Sequence, residues 1–224
     1  MKNDLRYCKI LNTNINVTNM KKTVDYLTDH LEELRGDYIC VSNVHTTMMS
    51  FRNKDYNRVQ NSCAMALPDG KPLSIVCKAR GFYDADRVPG PDLMPEMFKI
   101  SKEKGYRHYF YGSSQETLKK LREELNRNYP WLNIAGMYSP PYRALTQAEE
   151  ERIIREINDS KPDFIWVALG APKQEEWMYR HRFQVRGVMI GVGAAFDFCA
   201  GTVRRAPAWM QELCLEWLYR LMQD

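Results

Sequence analysis

The stretch DFIWVALGAPKQEEWMYRHRFQVRGVMIGVGAAFD, residues 163–197, constrains the fold more than any other part of the chain. Residues 164–169 form a short, unbroken apolar run, the pattern of a strand buried on both faces. The run stops at Gly170, and Ala171-Pro172-Lys173-Gln174 opens a polar helix with proline in its first turn. A second apolar run, 188–192, is broken by Gly191 and Gly193. Strand, turn, helix and strand predict a parallel α/β sheet, in which ligands bind at the turns after the strands' carboxyl ends. Unpaired N–H groups at a helix start favour an anion such as pyrophosphate. The same pattern also serves as a plain tight turn.

The rest of the chain alternates in the same way. Strands are predicted within 7–17 and over 37–42, 64–67, 107–111 and 131–137, and helices over 18–34, from Asn43 through Phe51, through Leu73–Cys77, over 91–104, from Ser113 or Ser114 to Asn128, and from Thr146 to near Ser160. The expected fold is α/β and Rossmann-like: a largely parallel sheet flanked by helices, with a C-terminal amphipathic helical segment. Residues 1–200 form the expected core and 201–224 the appended segment. Turns at Asn43, Asp69, Gly112, Gly170 and Gly191/Gly193 would then share one rim, as candidates for a single cleft.

A chain of 224 residues builds one sizeable core or two small ones. Its net charge of +4 is too small to indicate nucleic acid, and no nucleic-acid-binding motif is present. The start, MKNDLRYCKI, lacks the apolar core of a signal peptide, and no run is long enough to span a bilayer. The expectation is a cytoplasmic protein, free or held at a membrane surface. Six cysteines without a CxxC pair read as small buried hydrophobes in a reducing compartment, and the four histidines show no metal-ligand spacing.

Several residues can carry chemistry, each with a plainer alternative. Asp69, in LPDGKPL, is either a general base at a strand end or part of a Pro-Asp-Gly turn. Asn43 and His45 either shape the next helix start or bind a sugar hydroxyl or uracil. Arg87 precedes a Pro-Gly-Pro bend that can aim it at a phosphate; otherwise it is a solvated side chain. Asp84-Ala85-Asp86 weakly matches an Asp-x-Asp metal signature but lies in a polar loop. Lys173 and Gln174 open a helix, where a glutamine can donate to an oxygen gaining charge in a transition state; the alternative is surface exposure. Asp197 either holds a ribose hydroxyl or caps the next turn.

The tail, RRAPAWMQELCLEWLYRLMQD, carries a helical stripe of Met210, Leu213, Cys214, Trp217, Leu218 and Leu221. A stripe of this kind packs on a core. With Trp209, Tyr219, Arg204, Arg205 and Arg220 it also suits a membrane interface.

The stretches SNVHTTMM, LPDGKPL, DRVPGPDLMPEM, YFYGSSQE, GMYSPPYR, PDFIWVALGAPKQEEWM, GVGAAFDFCAGTVRRAPAWMQ and LEWLYRL, in that order, resemble the WecG/TagA/CpsF family of bacterial glycosyltransferases. The resemblance implies inverting, metal-independent transfer of a hexose, N-acetylhexosamine or uronic acid. The donor would be a UDP-sugar and the acceptor an undecaprenyl-diphosphate-linked sugar, in the synthesis of teichoic acid, common antigen or exopolysaccharide. It implies no cofactor, and a peripheral location at the inner face of the cell membrane. It makes Asp69 the general base, places Arg87 at the diphosphate and puts Gln174 near the donor. Asn43 matches a site residue, and a family threonine two positions before it is Val41 here, so a hydroxyl role passes to Ser42 or Thr46. Substrate-binding positions are expected at His45, Thr46, Gly112, Ser113, Tyr138, Gly170, Lys173, Gly191, Gly193, Phe196, Asp197, Arg204 and Arg205. The family's basic tail would follow LYRL, so the resemblance also implies a trimmed or naturally short member. A homo-oligomer formed through the apolar tail is a further expectation.

The implied chemistry is a single displacement. Asp69 takes the proton of the acceptor hydroxyl, UDP leaves from the opposite face, and Arg87, backbone N–H groups and Arg204 or Arg205 meet the departing charge. Two rivals stand beside it. An NAD-binding oxidoreductase would require G-x-G-x-x-G after the first strand, which this chain lacks. A non-catalytic membrane-surface module would explain the tail but leave the polar strand ends without a purpose.

Overall fold

The computed structural model describes residues 5–222, without the side chains of Ala208, Trp217 and Arg220. The chain opens with an antiparallel hairpin, β1 (Tyr7–Ile10) and β2 (Thr13–Asn16). Helices α1 (Met20–Asp29) and α2 (Leu31–Leu34) follow, then β3 (Tyr38–Ser42), α3 (Val44–Arg52), α4 (Lys54–Ser62), β4 (Met65–Pro68), α5 (Lys71–Ala79) and α6 (Gly90–Lys104). The second half runs β5 (Arg107–Gly112), α7 (Gln115–Asn128), β6 (Asn133–Tyr138), α8 (Gln147–Asp159), β7 (Phe164–Ala168), α9 (Lys173–Arg180), β8 (Val188–Gly191), α10 (Ala195–Cys199), α11 (Ala208–Glu212) and α12 (Glu216–Leu221).

Strands β3 to β8 form one parallel sheet in the order β4-β3-β8-β7-β5-β6. The two faces follow from the two-residue period of a strand. Ile39, Val41, Phe164, Trp166, Val188 and Ile190 point to a core closed by α1, α6, α7 and α10. Tyr38, Cys40, Tyr109, Tyr111, Ile165, Val167 and Met189 point to a second core, closed by the hairpin, α5, α8 and α9. Both faces are covered, so β3, β7 and β8 are buried at every position. Because all six strands are parallel, their carboxyl ends share one rim.

Four expectations are revised. The helix predicted over 18–34 is interrupted at His30, which caps both α1 and α2. Helix α4 was not predicted: its polar sequence KDYNRVQNS buries only Tyr56, Val59 and Gln60. The strand predicted over 131–137 is β6, which starts at Asn133 and extends to Tyr138. The tail is not one stripe: Cys214, at φ +63°, takes the left-handed conformation and separates α11 from α12. Met210 is buried against the core while Trp209, Leu213 and Leu221 are exposed. The expectations for the Trp217 and Arg220 side chains lie outside the described residues. Among the described residues, no helix is long and apolar enough to cross a membrane.

Candidate active site

The expected single cleft is resolved into two cavities on the rim, separated by the turn between β7 and α9. The smaller, about 290 Å³, lies over the ends of β3, β4 and β8. Of the predicted residues, Asn43, His45, Thr46, Asp69, Gly170, Gln174, Gly193 and Arg205 line it. The larger, about 910 Å³, lies over β5, β6 and β7 and takes Ser113 and Lys173.

Local structure fixes the smaller site. Asn43 caps α3: its side chain accepts from the Thr46 N–H at 3.1 Å, and Thr46 Oγ1 accepts from the Asn43 N–H at 3.0 Å, a reciprocal capping box. The capping alternative for Asn43 is therefore realised, in a residue that also faces the cavity. Asp69 follows β4, where its N–H donates to the Ser42 carbonyl at 2.8 Å. Arg205 crosses from the C-terminal segment and pairs with Asp92 of α6 through both guanidinium nitrogens, Nη2 donating to Oδ2 at 3.0 Å. Burial works against the Arg205 charge. Its bonds to Asp92 and the nearby Glu216 and Asp69 carboxylates outweigh that and raise its pKa.

Gln174 is buried, not surface-exposed. Its Oε1 accepts from the Gly193 N–H at 3.1 Å, and its Nε2 donates to Glu175 Oε1 at 2.7 Å. Gly191 leaves room for this arrangement, since a Cβ there would lie 3.2 Å from Gln174 Nε2 and 2.7 Å from Met178 Cε. Glu175 was missed by the sequence reading. Trp177 and Met178 carried the signal, because residues three and four positions earlier share their buried helix face.

The larger cavity has an aromatic floor. Tyr111 and Trp177 stack with centroids 4.4 Å apart, and Tyr138 stacks behind Tyr111 at 6.1 Å. Lys173 Nζ lies 5.2 Å from the ring centre of Tyr142; Arg143 and Arg180 also line the cavity but pair with Glu149 and Glu150, and Glu150 and Glu176 line it too. Ser114, not Ser113, caps α7, accepting from the Thr117 N–H. Both backbone groups of Ser113 are engaged: its N–H donates to the Ala168 carbonyl at 2.8 Å, and its carbonyl accepts from Ser139 Oγ at 2.7 Å.

Other predicted residues line neither cavity. Arg87 Nη2 donates to Gln211 Oε1 of α11 at 2.8 Å, which ties the loop before α6 to the C-terminal segment. Gly112, at φ +115°, permits close approach to β7, where a Cβ would collide with the Ala168 carbonyl. Gly191 lies beneath Gln174. Phe196 is buried against Phe110 at 5.7 Å. Asp197 accepts from Thr117 Oγ1 at 3.3 Å and, through its carbonyl, from Thr202. Arg204 is exposed. The weak Asp-x-Asp match is absorbed structurally: Asp84 pairs with Lys22 and Arg6, and Asp86 accepts from the Arg87 N–H.

Comparison with known proteins agrees with the motifs. The chain is similar to proteins named N-acetylglucosaminyldiphosphoundecaprenol N-acetyl-beta-D-mannosaminyltransferase from three bacteria. The Bacillus subtilis (strain 168) protein is 32% identical over 208 residues, which is 92% of this chain and 79% of the relative. The Bacillus spizizenii protein is 33% identical over 88% of this chain and 75% of its own length. The Staphylococcus aureus (strain MW2) protein is 29% identical over 84% and 72%. The model of the glycosyl transferase WecG/TagA/CpsF family matches residues 8–224. A parallel α/β sheet with a carboxylate and a buried amide facing one rim cavity, matched to this model over nearly all its length, identifies the chain as a glycosyltransferase belonging to the WecG/TagA/CpsF family.

Proposed function

We propose that the protein transfers a sugar, with inversion and without a metal, from a UDP-sugar to an undecaprenyl-diphosphate-linked sugar in cell-surface polysaccharide synthesis. The relatives' names make N-acetylmannosamine the first donor sugar to test, and an N-acetylglucosamine-capped lipid diphosphate the first acceptor. The observation that carries the reading is the shared cavity of Asp69, Gln174 and Arg205 beside a larger, aromatic-floored one that holds Lys173.

On this reading the larger cavity takes the nucleotide. Uracil stacks on the Tyr111 and Trp177 side, and the diphosphate reaches toward Lys173 and the Gly170 turn. The anomeric carbon then projects into the smaller cavity. Asp69 accepts the proton of the acceptor hydroxyl as that oxygen forms the new bond to the anomeric carbon. The bond from that carbon to the UDP oxygen breaks with its electron pair, and a single displacement inverts the centre. Gln174 Nε2 and Arg205 meet the growing negative charge. A bound diphosphate competes with Gln211 for Arg87, which brings that guanidinium to the leaving group. Asn43, His45 and Thr46 bind sugar hydroxyls.

The acceptor is a lipid, so the enzyme works at the inner face of the membrane. Trp209, Leu213 and Leu221, turned outward with Arg204 nearby in the chain, form the contact. The test is a panel of UDP-sugars, with UDP-N-acetylmannosamine first, against a short-chain lipid-diphosphate N-acetylglucosamine, with products read by mass. A disaccharide product with the anomeric configuration inverted, undiminished by a chelator, is the expected result. Absence of transfer from every donor, or a thermal shift with NAD and none with UDP, overturns the reading.

A further inference from the structure

Glu175 is a carboxylic acid in the wrong place for a surface helix. It opens α9 within the polar run KQEEW, yet it is fully buried. Its Oε1 accepts from Gln174 Nε2 at 2.7 Å, while its Oε2 makes no hydrogen bond of ordinary geometry, with Tyr56 the nearby polar side chain. Leaving a buried carboxyl oxygen unmet is costly, and an apolar side chain of similar volume would avoid that cost. The position therefore calls for an explanation other than stability.

Gln174 supplies one. Its amide is held at both ends: the Gly193 N–H donates to Oε1, and Glu175 accepts from Nε2. An amide oxygen and an amide nitrogen differ in what they offer a ligand, and a flip would reverse them. With Gly193 able only to donate and Glu175 accepting, a single orientation remains. The nitrogen then keeps its second hydrogen for the cavity that Gln174 shares with Asp69. We propose that Glu175 is a positioning residue for Gln174, fixing the orientation of its amide so that Nε2 donates to a ligand oxygen in the Asp69 cavity.

The groups facing Glu175 fit this role. Tyr56 approaches from α4 and Cys40 from β3, and Glu176 is the neighbour on its own helix; β8, Val188–Gly191, contributes nothing that titrates. Behind Tyr56 the polar chain continues: Gln60 Nε2 donates to the Tyr56 hydroxyl at 2.9 Å, and Ser42 Oγ donates to Gln60 Oε1 at 2.9 Å. A buried path thus runs from the end of β3, beside Asn43, to the underside of Gln174. Burial raises the Glu175 pKa to about 7, against the opposing pull of the Gln174 and Tyr56 contacts.

Two readouts test the proposal. The kinetic one rests on the glycosyl-transfer reading; the spectroscopic one does not. By NMR, the Gln174 side-chain amide, assigned by its loss in Gln174→Ala, is expected to titrate near pH 7 in the wild type and to stay flat in Glu175→Gln. In turnover, Glu175→Leu is expected to lower kcat about tenfold with little change in donor KM. It should do so without lowering the melting temperature, and Glu175→Gln, which keeps an acceptor oxygen, should recover most of the loss. In a Gln174→Ala background, Glu175→Leu should add less than about twofold, because the residue acts through the amide that has been removed. A folded Glu175→Leu with wild-type kcat, penalties that multiply in the double variant, or a Gln174 amide blind to pH overturns the proposal. If Glu175→Leu does not fold, the amide titration in the wild type and Glu175→Gln decides. A wild type that transfers no sugar defeats the glycosyl-transfer reading alone, and the amide titration still decides this one.

Discussion

Lys173 and Gln174 are consecutive in the chain, yet they open onto different cavities. A helix turns about 100° per residue, so the first turn of α9 forms a partition with a different side chain on each side. Substitutions at the two positions should therefore separate binding from chemistry. Lys173→Ala is expected to weaken UDP binding about fivefold, the scale of one exposed charge contact, with kcat nearly unchanged. Gln174→Ala is expected to lower kcat about 10²-fold with UDP affinity retained. Calorimetry with UDP and steady-state transfer assays distinguish the two.

Asp69→Asn keeps the shape of the strand end and removes the proposed base. The expected loss in kcat is about 10²- to 10⁴-fold, with UDP binding and melting temperature close to wild type. Near-normal turnover by this variant would mean that another group accepts the proton.

Gly191 and Gly112 are both buried, but a methyl group at each meets a different obstacle. At Gly191 it meets the flexible end of Met178 and the amide of Gln174. Gly191→Ala should fold, lose a few degrees of melting temperature and lose most of its turnover, because Gln174 must move. At Gly112 it meets the backbone of Ala168, in a conformation at φ +115° that side chains resist. Gly112→Ala should lose about 3 kcal/mol or more in denaturant unfolding.

His108 gives the fold a definite acid sensitivity. Trp166 Nε1 donates to its Nδ1 at 3.0 Å, so the ring hydrogen sits on Nε2 and is directed at Ser101 Oγ, 2.8 Å away; that hydroxyl in turn donates to the Met97 carbonyl. A second proton would displace the tryptophan bond, and burial lowers the His108 pKa from 6.5 to about 3. The folded pKa lies below the unfolded one, so the unfolded chain takes up protons first. Stability is complete above pH 6.5 and falls as pH drops toward 3. Between pH 7 and pH 5 the loss from this group is about 2 kcal/mol. Denaturant unfolding at the two pH values should show that difference in the wild type and a smaller one in His108→Gln.

The exposed apolar residues of the C-terminal segment predict lipid affinity. Trp209→Ala combined with Leu213→Ser should reduce sedimentation with anionic vesicles several-fold, while transfer to a water-soluble short-chain acceptor persists.

The sheet was legible because its strands are buried on both faces, which leaves continuous apolar runs such as FIWVA and YICVS. Helix α4 was not, because most of its residues are solvated and only Tyr56, Val59 and Gln60 reach the interior. In the tail, a helical repeat of apolar residues marked the inward Met210 correctly but gave no warning of the left-handed Cys214. That conformation is favoured by glycine or asparagine, and cysteine advertises neither. At the site, strand ends such as Asp69 were visible from turn chemistry, while the pairing of Arg87 with Gln211 joins residues 124 positions apart and leaves no local trace. Glu175 was hidden by composition: in KQEEW two adjacent glutamates look alike, and only the helix phase sets Glu175 inside and Glu176 outside.

The strand order places β8, the last strand among the described residues, between β3 and β7. Before residues 188–191 emerge from the ribosome, a nascent chain holds two separate half-sheets with the raw edges of β3 and β7 unpaired. The Asp69 cavity draws walls from both halves and from the Gly193 turn, so it comes into being only when this keystone is set. A ribosome-bound intermediate should therefore expose sticky edges and remain catalytically silent until β8 and the Gly193 turn have emerged.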